Sequence, residues 1–132
     1  MTLTIGKIAS AAQVSTDTLR YYEREGLIGP TSKSRGGYRL YDRDAVRRVR
    51  FIKQAQNCGF TLTEIRVLLD LRAGEAACCG DVRRFSLEKK LQLEAKIKAM
   101  RTMSKALDHL IAACSDESRP LDDCPILAAF ER

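Results

Sequence analysis

The chain has 132 residues, 45% of them apolar and 30% charged, with a formal net charge of +6. That size suits one domain, or one small domain with an appendage, and chains this short often gain stability by dimerising. No apolar run approaches the ~18 residues of a membrane-spanning helix, and the opening MTLTIGKIAS lacks the apolar stretch of a secretory leader, so a cytoplasmic protein without membrane contact is expected.

The charge is unevenly placed. Residues 1–72 hold 13 Lys and Arg against 7 Asp and Glu, whereas residues 73–132 hold 10 of each. A basic half beside a neutral half suggests a nucleic-acid-binding module joined to something else. Five cysteines accompany a single histidine, His109. Structural disulfides are rare in a reducing compartment, so spaced cysteines there point to metal or redox chemistry.

In chain order, Ile5, Ile8, Ala9 and Ala12 form an apolar stripe at helical spacing. Val14-Ser15 interrupts it. Ser15 or Thr16 can cap a second helix, with Asp17 in its first turn, Leu19 and Tyr22 facing inward and Gly26 at its end. Two short helices joined by a tight turn make the helix-turn-helix plan. Pro30, Gly36 and Gly37 then punctuate a loop, and the alternation around Tyr38–Tyr41 predicts a short strand in a small hairpin or wing. Asp42 caps a helix over 43–57, closed by Gly59. Thr61 and Glu64 stand as a T-x-x-E capping box before a helix with Leu62, Ile65, Leu68, Leu69 and Leu71 on its apolar face, closed at Ala73-Gly74.

The longest predicted element covers 81–113, with Asp81 as its N-cap and no Gly or Pro between Val82 and Arg119. Leu93, Ile97, Met100, Met103 (or Ser104), Leu107, Leu110 and Cys114 recur at steps of three and four, a coiled-coil-like seam. Such a helix spans roughly 50 Å and cannot bury its stripe within so small a chain, so a second subunit is the expected partner. CPILAAFER closes the chain as a helical stub. Cys58 is expected in the core, and His109 at a surface or interface.

Two stretches now carry a resemblance. LRYYEREGLIGP, followed by GGYRLYDRDAVRRVRFIKQAQNCGFTLTEI, resembles the MerR family of bacterial transcription regulators. The shared pattern is R-Y-Y-E-x-x-G-L-x-x-P, then G-Y-R-x-Y, then a helix and G-F-T-L-x-E-I. The resemblance implies a mainly all-α fold. Residues 1–72 would form a winged helix-turn-helix domain with connecting helices, and 73–80 a hinge carrying Cys78 and Cys79. Residues 81–113 would form an antiparallel coiled-coil dimerisation helix, and 114–132 a metal-binding loop with a short C-terminal helix.

It also implies that the helix from about Thr16 to Glu25 enters the DNA major groove. Thr16, Thr18, Arg20 and Tyr21 would face double-stranded promoter DNA, and Lys33, Arg35, Tyr38 and Arg39 of the wing would grip the flanking backbone. These residue types suit DNA chemically, since hydroxyls and Arg bind phosphates or base edges, and helix N-termini favour phosphate. A homodimer would meet a palindromic operator. Members of the family typically activate promoters whose −35 and −10 elements are too far apart, by bending and untwisting the spacer so that RNA polymerase engages both.

Cys79 and Cys114 stand at opposite ends of the long helix and cannot share a metal within one chain. If two such helices pair antiparallel, each Cys79 lies beside the partner's Cys114. Metal-sensing members of the family do this, and their ligand pattern matches Cys79, Cys114 and Cys124. Three thiolates suit a soft or borderline divalent ion: Hg²⁺, Pb²⁺, Cd²⁺ or Zn²⁺. Cys78, Asp116, Asp122 or Asp123 could add a fourth ligand. Members that sense copper, silver or gold share the loop, including DCPI, but have Ser in place of Cys79 and use the loop cysteines alone; that reading stays open here. So does a thiol redox sensor on the same scaffold, with Cys114 and Cys124 forming a disulfide. An enzyme or a thiolate metal buffer is disfavoured, with one histidine and no catalytic motif, and too few residues follow position 113 for a drug-binding domain.

Overall fold

The computed structural model describes every residue except Met1, Thr31 and Tyr38, and every described side chain except those of Lys33 and Arg39. Four helices begin on a residue whose side-chain oxygen accepts from the first turn, which satisfies one of the N–H groups that a helix start leaves unpaired. Thr4 accepts from the Lys7 amide (3.4 Å) before α1, Ile5–Ala12. Ser15, not Thr16, accepts from the Thr18 amide (3.1 Å) before α2, Thr16–Arg24. Asp42 accepts from Ala45 (3.2 Å) before α3, Arg43–Asn57. Before α4, Leu62–Ala73, the capping box is complete: the Glu64 amide donates to Thr61 Oγ1 (3.2 Å) and the Thr61 amide to Glu64 Oε1 (2.8 Å).

Two of the four positive-φ residues of the head set the turns around α2. Gly26, at φ 74°, ends α2 and turns the chain back toward the core, and Gln13, at φ 59°, makes the sharp turn between α1 and α2. A residue with a Cβ is uncommon in that conformation. The wing is a small antiparallel sheet ordered β1-β3-β2: β1 is Leu3–Thr4, β2 is Ser32–Lys33 and β3 is Arg39–Tyr41. Leu3 pairs with Tyr41, and Ser32 with Leu40. The hairpin is the one expected from the sequence, while β1 adds a strand that was not.

The chain divides into Met1–Arg83 and Arg84–Arg132. The first unit holds one core: Ile8, Ala9 and Ala12 from α1, Leu19 and Tyr22 from α2, Leu27 and Ile28, Tyr41 from β3, Val49 and Ile52 from α3, and Ile65 and Leu69 from α4. Each fully buried large side chain contributes about 1.5–3 kcal/mol. Cys58, expected in this core, is exposed. It is the C-cap of α3, and Phe60, two residues on, packs against the core instead.

Helix α5 runs Cys79–Ala113, 35 residues without a break. It begins at Cys79, and Asp81 lies in its first turn rather than capping it. The Asp81 carboxylate reaches back to accept from the Cys78 amide (2.8 Å). Beyond α5 come a loop, a short 3₁₀ turn at Leu121–Asp123 and α6, Pro125–Phe130, with proline at its first position, where its missing N–H costs nothing. Among the described residues, no helix is long and apolar enough to cross a membrane.

Candidate nucleic-acid interface and metal centre

The DNA-reading candidates divide by what already occupies them. Arg20, Tyr21 and Arg35 are exposed, and Thr16 and Thr18 are half-buried. The Thr18 hydroxyl lies 2.8 Å from that of Ser15, so it is engaged in the helix cap. Arg20 lies 3.6 Å from Asp17 in a solvent-exposed ion pair, a weak contact that a phosphate can displace. Tyr22, next to the exposed Tyr21, turns inward and is 1% exposed. Its hydroxyl donates to Gln56 Oε1 of α3 at 2.5 Å. Burial, and secondarily the neighbouring Tyr21, raises its pKa above the ordinary 10.0. In the wing, Lys33 and Arg39 are described by their backbone alone, and Tyr38 lies outside the described residues.

A cleft of about 750 Å³ opens between α2 and the wing, lined by Arg20, Glu23, Arg24, Gly37 and Tyr41 among others. Its floor is fixed by the buried Tyr41, whose hydroxyl donates to Glu23 Oε2 (2.9 Å) and so ties β3 to α2. Arg24, not singled out in the sequence, adds a second guanidinium to the cleft, 5.9 Å over the Tyr21 ring. Its place one turn after Arg20 on the same helix was the available signal.

All five cysteines are free thiols. Cys78 and Cys79 are exposed, at the start of α5, while Cys114 and Cys124 are half-buried at the two ends of the loop after it. A 35-residue helix therefore separates Cys79 from Cys114, about 52 Å of rise. Among the described residues, no three His, Cys, Asp or Glu side chains come together closely enough to hold a metal ion. Within the loop, the Cys114 thiol approaches the Asp116 carbonyl at 4.0 Å. Asp116 accepts from the Ser118 hydroxyl (2.6 Å) and amide (3.1 Å). Those two bonds, the hydroxyl's first, hold its carboxyl below the usual 3.8.

Along α5, Leu91, Ile97, Met100, Met103, Leu107 and Ile111 are exposed. Leu93 and Leu110 are half-buried.

A winged helix-turn-helix head, followed by one long helix with thiols at its start and just past its end, defines a DNA-binding transcription regulator rather than an enzyme. The family models agree: residues 3–71 match the MerR HTH family regulatory protein and residues 46–110 match MerR, DNA binding. The chain is 37% identical over 125 residues to the HTH-type transcriptional regulator HmrR of Sinorhizobium medicae, covering 95% of this chain and 84% of that one. Among solved structures it resembles the transcription regulator PbrR691 of Ralstonia metallidurans CH34, in complex with lead(II). That match has 34% identity and a TM-score of 0.83, and covers 97% and 98% of the two chains. It also resembles the dual-function regulator MerR of Bacillus megaterium MB1, in complex with mercury(II), with 32% identity, a TM-score of 0.70 and coverage of 98% and 100%. The chain belongs to the MerR family of helix-turn-helix regulators.

Proposed function

We propose that this chain is a metal-responsive transcription regulator of the cytoplasm. As a homodimer it binds a palindromic promoter operator, and it activates RNA polymerase there by distorting an overlong spacer. The effector is a soft divalent ion held by Cys79 of one subunit and the partner's Cys114 and Cys124. The observation that carries this is α5: it is continuous from Cys79 to Ala113, so it separates thiols that a second, antiparallel α5 would bring together. The exposed apolar residues between them supply the surface for that pairing.

Three thiolates and no histidine suit Hg²⁺ or Pb²⁺. Cd²⁺ and Zn²⁺ fit if Cys78 completes four ligands. Likeness to lead- and mercury-bound regulators supports the soft-metal branch. On DNA, Thr16, Arg20, Tyr21 and Arg24 of α2 would enter the major groove, with Arg35 and the wing on the flanking backbone.

Competition titration of the reduced protein with Hg²⁺, Pb²⁺, Cd²⁺, Zn²⁺ and Cu⁺ against a small thiol tests the ligand set. Cys79→Ser and Cys114→Ser homodimers should each lose tight divalent binding. A heterodimer of the two variants should recover one site of the wild-type two, because one Cys79 still faces an intact loop. No recovery would reject a cross-subunit site. Cu⁺ binding indifferent to Cys79→Ser would indicate a copper-group sensor, and peroxide-driven Cys114–Cys124 oxidation without competitive metal binding a redox sensor.

A further inference from the structure

Residues 1–72 carry 13 basic side chains, and their natural reading is as partners for phosphate. Three of them do something else. Helix C-termini leave carbonyls without an intrahelical donor, and the end of the dipole there favours cations. At the end of α1, the Gln13 amide serves Ala9 and Ser10, and the carbonyl of Ala11 accepts instead from Arg50 Nη2 of α3 at 2.8 Å. Past the end of α2, the amides of Glu25, Gly26 and Leu27 serve Tyr21, Glu23 and Tyr22. The Glu25 carbonyl accepts from Arg66 of α4, and the Leu27 carbonyl from Arg48 Nε of α3 at 2.5 Å.

These donors lie 21 to 41 residues from their acceptors and come from two helices. They engage the helix-turn-helix at three points: one before the turn and two beyond the reading helix. Three separate points are the minimum that fixes the orientation of a rigid body. Each hydrogen-bond acceptor is main chain, and only Arg66 also meets a side chain, the Glu25 carboxylate at 3.6 Å, so the grip of Arg48 and Arg50 depends on no α2 side chain.

We propose that Arg48, Arg50 and Arg66 are positioning residues for the DNA-reading helix, acting on helix-end carbonyls rather than on phosphates. This rests on the reading that α2 enters the groove. It assigns α3 and α4 the part of a cradle, so that a change in their arrangement is passed to α2 through these three contacts.

The test uses the full chain, a duplex that the wild-type protein selects from a random-sequence pool, and a scrambled duplex, all well below the unfolding transition. Arg48→Gln/Arg50→Gln should lower the ratio of selected to scrambled affinity about tenfold, with the slope of log K against log salt unchanged. Arg48→Gln/Arg50→Lys, which keeps a charged donor at position 50 where Gln has only a neutral one, should recover part of that ratio. Arg20→Gln serves as the comparison and, with one Arg20 lost from each subunit of the proposed dimer, should make the slope shallower by about 1.8. A shallower slope in the double variant, with both duplexes weakened alike, would assign these arginines to phosphate and overturn the proposal. So would a lower urea midpoint with an unchanged affinity ratio, the mark of a merely structural role. If the wild-type protein selects no duplex, the DNA reading itself fails. Hydrogen exchange then decides the positioning role alone: Leu19 and Tyr22 amides exchanging at wild-type rates in the double variant would overturn it.

Discussion

The two halves of this chain solve the same physical problem differently. Met1–Arg83 contains every buried apolar residue described, and its helices are capped within the chain. Arg84–Arg132 has no buried apolar residue among those described, and its long helix leaves Met100, Met103 and Ile111 each more than 60% exposed. The head is finished by its own sequence. The rest carries an apolar stripe that its own residues leave uncovered, the surface on which the proposed second subunit would pack. Stability should therefore live in the head, and assembly in the tail.

The largest effect should come from the head. Ile52→Ala removes a side chain with 0% exposure and should cost about 2–5 kcal/mol, read as a lower midpoint in urea. A loss below ~1 kcal/mol would mean that the head is not the stability unit. The matching change in the tail is Ile97→Asp with Leu107→Asp. Sedimentation should show dimer giving way to monomer, while the urea transition of the head stays within ~1 kcal/mol of wild type. If the head melts as well, the two regions are one cooperative unit and the contrast fails.

Two smaller changes sharpen the account of the head. Thr61→Ala breaks the capping box of α4 and should cost about 1 kcal/mol in the same unfolding assay. Gln13→Gly relieves the left-handed residue between α1 and α2 and should gain up to about 1 kcal/mol. A loss there would mean that the Gln13 side chain contributes more than its backbone costs.

What could be read from the residues followed the range of the interactions involved. Asp42, the Thr61–Glu64 box and Gly59 mark the start of α3, the start of α4 and the break between them, and each does so within a few residues of itself. Helical spacing located Ile8, Leu19, Tyr22 and Ile65 in the core. The separation of Cys79 from Cys114 was visible because no Gly or Pro interrupts the stretch. Long-range features were not visible. Strand β1 has only Leu3 and Thr4, too short for alternation, and exists because β3 pairs with it. Cys58 has the composition of a core residue but sits one position past a helix end, where Phe60 takes the inward place. Arg48, Arg50 and Arg66 look like DNA charge because the acceptors they reach are carbonyl oxygens, which every residue has and no sequence displays.

The unbroken run of α5 also sets which changes of length the chain can accept. One inserted residue advances a helix 1.5 Å and turns it about 100°, so a single insertion between Leu93 and Leu107 would rotate half the apolar stripe away from the other half. Seven residues restore the phase. In an antiparallel pair both rods would lengthen together, leaving each Cys79 opposite a loop but moving the two heads about 10 Å farther apart. In such a pair the helix would act as a measuring rod whose graduations are heptads, and substitutions that keep the apolar stripe and the thiols should be tolerated along α5 where insertions and deletions are not.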